Sequence, residues 1–212
     1  NDGDSAYMQR TQSGTSGDQQ KKFTLSVWIK RGQLGTIQGI YGNTYSSDHH
    51  GFVFFNTDDQ LQFFDSGDDT DVETNRRFRD VGAWYHIVVS ADSTQSTAAN
   101  RVKMWVNGVQ ESSFATAAYG TQDEALKIMT TTNTPTLGRL TWTDGSTIYY
   151  FDGYMANMHF SQGVTFDAST FGEFDDDSPT IWKPKAVDET LGDNGFFLDF
   201  LTGFIVIIQS SF

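Results

Sequence analysis

The sequence predicts an all-β fold: two antiparallel sheets packed face to face as a jelly-roll sandwich, with little helix. Three observations predict it. Short segments alternate apolar and polar residues with a period of two, the mark of half-buried strands. Aromatics make up 15% of the 212 residues and glycine is frequent at 20, a mix of strand formers and turn formers that suits a sandwich. Proline is scarce at 3, and the chain has no cysteine, so no disulfide holds the fold.

Residues 1–22 form a polar lead-in with a short extended piece at Ser5–Arg10. Phe23–Lys30 is the clearest strand, with Phe23, Leu25, Val27 and Ile29 on one face and Thr24, Ser26, Trp28 and Lys30 on the other. Ile37–Gly42, Gly51–Asn56 and Gln60–Asp65 are three further strands. Thr57-Asp58-Asp59 joins the last two tightly, so Phe52–Phe55 should pair with Leu61–Phe64 as a hairpin. Ser66–Arg79 reads as a long polar loop. Trp84–Ala91 is apolar on both faces and therefore central. Asp92–Asn100 is a polar loop. Arg101–Asn107 alternates, and Asn107-Gly108 is the strongest hairpin signal in the chain, with a return strand at Val109–Ser113. Ala115–Leu126 has the composition for a helical turn.

Thr136–Leu140 and Thr147–Phe151 are strands. Asp152–Gly163 follows as a strand with Tyr154, Ala156, Met158 and Phe160 on one face, and Met155, Asn157 and His159 on the other. Tyr154, Met158 and Phe160 are its expected core residues. Phe166–Phe171 is a helical turn capped by Asp167, and Gly195–Phe200 a late strand. The end, Phe204–Gln209, is apolar on both faces and uncharged. It is expected to be buried in the sandwich or in a subunit contact, because an exposed edge of that kind aggregates. No repeat or linker divides the chain, so residues 1–212 are expected to form one domain.

The charge is −13, from 27 acidic and 14 basic residues. Phosphate backbones need a basic surface, so nucleic acid is not an expected partner. No apolar run reaches membrane-spanning length, so no membrane insertion is expected.

Phe23-Thr-Leu-Ser-Val-Trp-Ile-Lys-Arg, Trp84-Tyr-His-Ile-Val-Val, Val102-Lys-Met-Trp-Val-Asn-Gly and Tyr150-Phe-Asp-Gly-Tyr-Met-Ala-Asn-Met-His-Phe stand in an order that resembles the laminin-G-like, concanavalin A-like lectin/glucanase superfamily. Phe166-Asp-Ala-Ser-Thr-Phe-Gly-Glu-Phe-Asp, Ile181-Trp-Lys-Pro-Lys and Gly192-Asp-Asn-Gly-Phe-Phe-Leu-Asp-Phe are similar to the version in virion structural proteins of marine tailed phages. The resemblance implies binding or structure rather than a set reaction. It points to capsid decoration or a tail fibre on the virion surface, with copies of itself (a homo-oligomer) or other virion proteins as partners, and a host glycan as a further one. The alternative is a glycan-binding adhesion module of a bacterial or other cell surface. Phe204–Phe212 is not part of this pattern.

Four constellations bear on chemistry. Glucan-cleaving relatives carry paired carboxylates on a strand, whereas Glu173-Phe174-Asp175 lacks the final glutamate and leads into a loop, so no enzyme is expected. His86 and His159 lie in apolar strands and read as satisfied core histidines, and His49-His50 offers too few ligands for a metal. Asp65, Asp68, Asp69 and Asp71 are the candidate oxygen donors for Ca²⁺, against a plain solvated loop. Glycan sites combine an aromatic platform with amides and carboxylates. Trp142 beside Asp144 is the first candidate, with Tyr45 in another loop and Trp105 on a face shared with Arg101, Lys103 and Asn107.

Overall fold

The computed structural model describes residues 5–12, 14, 17–46, 49–66, 69–129, 134–142 and 146–198. The strands, in chain order, are β1 (Met8–Gln9), β2 (Lys22–Arg31), β3 (Gln38–Ser46), β4 (His49–Phe55), β5 (Gln60–Asp65), β6 (Thr70–Arg77), β7 (Tyr85–Asp92), β8 (Val102–Val106), β9 (Val109–Gln110), β10 (Phe114–Tyr119), β11 (Thr136–Leu137), β12 (Arg139–Thr141), β13 (Ile148–Tyr150), β14 (Gly153–Gln162), β15 (Gly172–Phe174), β16 (Trp182–Pro184) and β17 (Phe196–Leu198). Seven of them form one antiparallel sheet in the order β1-β11-β3-β4-β5-β6-β10. Six form the other in the order β17-β14-β2-β7-β8-β9. This is the expected two-sheet sandwich. The apolar tail Phe204–Gln209 lies outside the described residues.

The core lies between the sheets. Phe23, Leu25, Val27 and Ile29 of β2, with Ile87 and Val89 of β7, face Tyr41, Val53, Phe55, Leu61, Phe63 and Val72 of the opposite sheet. Phe23 meets Phe63 edge-on at 5.3 Å and stacks with Phe160 at 5.9 Å. Each such side chain contributes about 1.5–3 kcal/mol by leaving water. At the end of β2, Arg31 is also buried, over the Phe55 ring. It pairs with Asp59 at 3.0 Å and donates to the Phe78 carbonyl and the Gln38 amide oxygen. The hairpin Phe52–Phe55 against Leu61–Phe64 forms as read. Asn107 (φ 49) and Gly108 (φ 80) make the two-residue turn between β8 and β9, both left-handed as a type I′ turn requires.

Three expectations need correction. Ser66–Arg79 is largely strand β6, not loop. Its inward positions are Thr70, Val72 and Thr74, only one of them apolar, while Asp71 and Glu73 point outward. Ala115–Leu126 holds no helical turn over its first residues. Ala115–Tyr119 belongs to edge strand β10, where pairing with β6 overrides the helix preference of alanine. In β14, Tyr154 is exposed and Met155 is buried. Between Ala156 and His159 the strand gains one residue against β2, at Asn157 (φ 45). This bulge resets the alternation, so Met155 faces the core before it and Met158 and Phe160 face the core after it.

Outside the sandwich, each sheet carries an extra layer. The hairpin β12–β13 covers part of the outer face of the seven-stranded sheet, where Leu140 packs with Phe52 and Phe54. On the six-stranded sheet, residues 164–187 cross the outer face. Ala168 and Phe171 pack on Val88 and Trp105 there, with Phe166, Trp182 and Val187 around them. This explains why β7 is apolar on both sides. The expected turn is present over Ala168–Thr170, with the Asp167 carboxylate accepting from the Ser169 amide.

Candidate functional site

The cross-strand register stacks side chains into rows on the outer face of the six-stranded sheet. Ser161, Thr24, Ser90 and Lys103 stand in one row across β14, β2, β7 and β8. Beside it run His159, Ser26, Val88, Trp105 and Gln110. The first row is a hydroxyl ladder. The Thr24 amide donates to Ser161 Oγ (3.0 Å), and Thr24 Oγ1 lies 3.2 Å from Ser90 Oγ. Thr24 Oγ1 also accepts from the Phe166 amide at 2.9 Å, which pins the crossing segment to the sheet.

Where that segment begins to cross, a polar cleft of about 350 Å³ opens between the Asp92–Asn100 loop, strands β8 and β9, and Thr165–Asp167. Its polar lining includes Asp92, Gln95, Asn100, Lys103 and Gln110, with an edge of Trp105 at one wall. The Asp92 carboxylate accepts from the Thr94 backbone amide and hydroxyl (3.0 and 2.6 Å) and from the Gln95 side-chain amide (2.8 Å), with Lys22 at 3.7 Å. Burial pushes its pKa up, but these hydrogen bonds outweigh burial and hold it below the ordinary carboxylate value. Asp92 is thus a fixed anion that shapes the loop. Lys103, Asn100 and Gln110 keep their polar ends for a ligand, because none makes a side-chain hydrogen bond to another described residue. Fixed acceptors, free donors and an aromatic edge together suit a hydroxyl-rich ligand.

The sequence candidates fall in different places. Trp105 lines this cleft, though it is 9% exposed and its ring is largely packed. Trp142 is half-buried on the other sheet. It stacks on Phe52 (6.1 Å, 15°) and meets Phe54 and Tyr149 edge-on. Its ring helps hold the β12–β13 hairpin down. Asp144 and Asp68 lie outside the described residues, as does the Tyr45 side chain. Asp65 is fully buried and accepts from the Lys127 and Ile128 amides at 2.9 and 2.8 Å. Asp71 pairs opposite Phe64 on the outer face, where it accepts from Gln62 at 2.6 Å. Asp65 and Asp71 therefore occupy opposite faces of the sheet and do not converge on one ion. Asp69 sits in the turn between them with φ 58. Among the described residues no group of three His, Cys, Asp or Glu side chains is placed to hold a metal.

The strand histidines have defined partners. Trp182 donates its indole N–H to His86 Nδ1 at 2.9 Å, so neutral His86 carries its proton on Nε2 and donates to Ser26 Oγ, also at 2.9 Å. Trp28 stacks on the same imidazole at 4.9 Å. Burial pushes the His86 pKa down to about 3 and that of His159 down to about 4. Glu173 and Asp175 share Lys183 at 3.7 and 3.1 Å within the β15–β16 hairpin. The polar residues of the cleft were missed in the sequence because they come from three separated loops and strands. The one signal was that Lys103 and Trp105 share a strand face.

Several solved structures resemble this one. The NanB sialidase of Streptococcus pneumoniae, as a K499G mutant, aligns with TM-score 0.51 at 13% identity over 81% of this chain and 28% of that one. The CBM40 of the Ruminococcus gnavus IT-sialidase aligns with TM-score 0.50 at 13% identity, over 72% and 81%. A heptameric SAP-like pentraxin from Limulus polyphemus gives TM-score 0.45 at 13% identity, over 69% of this chain and 65% of the pentraxin. No curated protein matches the sequence. With two antiparallel sheets in place and a family model matching residues 2–168, the chain belongs to the concanavalin A-like lectin/glucanases superfamily.

Proposed function

We propose that the chain is a non-enzymatic glycan-binding module displayed on a surface. The observation that carries this reading is the polar cleft beside Trp105, with Lys103, Asn100 and Gln110 free to hydrogen-bond sugar hydroxyls. The absence of an enzymatic role is supported by the ionisable groups. At neutral pH His86 and His159 are uncharged and buried, and the Glu173/Asp175 pair is tied to a lysine on an added hairpin. The superfamily includes lectins by its name. The surface we assign is that of a tailed-phage virion, as capsid decoration or a tail-fibre component. Its support is the likeness of Phe166–Phe200 to phage structural proteins, a stretch that extends past the end of the family match at residue 168. The strong negative charge fits a partner other than nucleic acid.

A glycan array probed with the intact chain tests the binding role. Retention of an oligosaccharide that drops about tenfold in Lys103→Ala and Gln110→Ala, but not in Trp142→Ala, is the expected result. Retention of no glycan, or retention untouched by the cleft substitutions, overturns it. Cryo-electron microscopy of the source particle tests the location: density for this sandwich on the virion supports the assignment, and its presence on the bacterial envelope instead gives the cell-surface alternative.

A further inference from the structure

The same outer sheet face holds a second cavity, on the far side of the crossing segment. It measures about 560 Å³ and lies beneath residues 184–191. Its roof is tied at both ends: the Lys185 amide donates to the Phe171 carbonyl (3.2 Å), and the Leu191 carbonyl accepts from the Gln162 amide (2.8 Å). The space is therefore preformed.

Three features converge on its floor. Phe197 is 46% exposed and stacks on His159 at 4.2 Å and 17°. His159 is 6% exposed and lines the cavity. Asn157 sits at the bulge in the left-handed region and lines the cavity too, with a side chain that hydrogen-bonds no other described residue. A bulge in a central strand re-aims a side chain at the cost of a ladder position. The walls are mostly apolar, with Val187, Leu191 and Ala186 on one side and Lys185 and Glu189 at the rim.

The geometry points to a second sugar subsite here, selective for a pyranose that carries an acetamido group. The apolar face of the ring lies on Phe197. The acetyl methyl fills the aliphatic wall, and the Asn157 amide bonds the acetamido oxygen or a neighbouring hydroxyl. This inference rests on the glycan-binding reading and names a ligand class within it. His159 and Trp105 occupy one row, three strand spacings apart, or about 14 Å. One extended oligosaccharide can reach both sites by passing over the crossing segment that Phe171 anchors.

Saturation-transfer NMR of the intact chain with N-acetylglucosamine and with glucose decides it. The expected result is transfer to the acetyl methyl protons and an affinity for N-acetylglucosamine that falls about tenfold in Phe197→Ala. Asn157→Gly keeps the left-handed backbone while removing the amide, and it should weaken binding as well. Arg77→Ala, on the other sheet, should leave this signal unchanged. Equal transfer to both sugars, or an acetyl signal that survives both Phe197→Ala and Asn157→Gly, overturns the subsite. If glycans are still retained through Lys103 and Gln110 in that case, the glycan-binding reading stands without it. If no sugar binds at either place, both fail.

Discussion

Acidification should loosen this protein well above the pH at which its carboxylates titrate, and the cause is two buried histidines. His86 has a folded-state pKa near 3 and His159 one near 4, both below the ordinary value of 6.5. Between those limits the unfolded chain binds protons that the folded chain refuses. Stability is therefore complete above about pH 6.5 and declines as the pH falls toward 4 and then 3. At pH 5 each group has traversed about 1.5 pH units of that window, worth about 2 kcal/mol each, so roughly 4 kcal/mol together. That is a large share of the 5–15 kcal/mol typical of a domain. The loss has a place as well as a size. A protonated His86 can no longer accept at Nδ1, so Trp182 loses its partner and the β15–β16 hairpin is the first element to lift. Urea denaturation at pH 7.5 and pH 5, with hydrogen exchange over residues 172–184, measures both effects. Glutamine keeps a donor and an acceptor, so a His86→Gln, His159→Gln double variant should lose most of the pH slope. A native protein that loses under about 1 kcal/mol over this range, or a double variant with an unchanged slope, would refute the reasoning.

Asp59→Ala strands the buried Arg31 guanidinium and frees Arg79, and should cost about 3–5 kcal/mol in chemical denaturation, far more than an exposed pair such as Arg77–Asp58. Trp142→Ala removes the ring that clamps the β12–β13 hairpin to Phe52 and Phe54. It should lower stability by about 2 kcal/mol while leaving glycan retention intact; loss of retention at full stability would shift the sugar site to that hairpin. Because Asp65 already accepts from two backbone amides and Asp71 lies across the sheet from it, excess EDTA should not move the melting temperature, read by scanning calorimetry with and without Ca²⁺. Asp65→Ala, by contrast, should cost about 2–3 kcal/mol by leaving those amides unpaired.

What could be read from residues alone follows from where apolar side chains mark a face. β2 was legible because Phe23, Leu25, Val27 and Ile29 alternate with polar residues, and the β8–β9 turn because Asn-Gly has little other use. β6 was not, since Thr70 and Thr74 fill inward positions that a hydrophobic pattern does not count. β10 was hidden by its alanines, whose local preference is helical and whose strand state is imposed by the neighbouring β6. The error at Tyr154 came from a single inserted residue. Asparagine is several-fold enriched at left-handed positions, but most asparagines do not adopt them, so the sequence carries no sharp mark of the bulge. The cleft was half legible: Trp105 and Lys103 share a strand, but Asp92, Gln95, Asn100 and Asp167 join them only through tertiary folding. Trp182 belonged to a distinctive phrase with no assigned task, and its bond to His86 links positions 96 residues apart.

The segment that crosses the six-stranded sheet also fixes where the folding unit ends. A boundary drawn at residue 168, where the family likeness stops, would cut the chain within the turn over Ala168–Thr170. It would strip the sheet of Phe171 and Trp182 and leave Trp28, His86, Val88 and Trp105 facing water. Such a truncated chain would lose only the edge strand β17 from its two large sheets, and yet present a broad sticky wall on its outside. The unit that must be inherited, transplanted or expressed intact is thus longer than the unit that is recognisably shared with relatives. The added length is what turns a two-layer sandwich with an apolar back into a surface with two sheltered hollows.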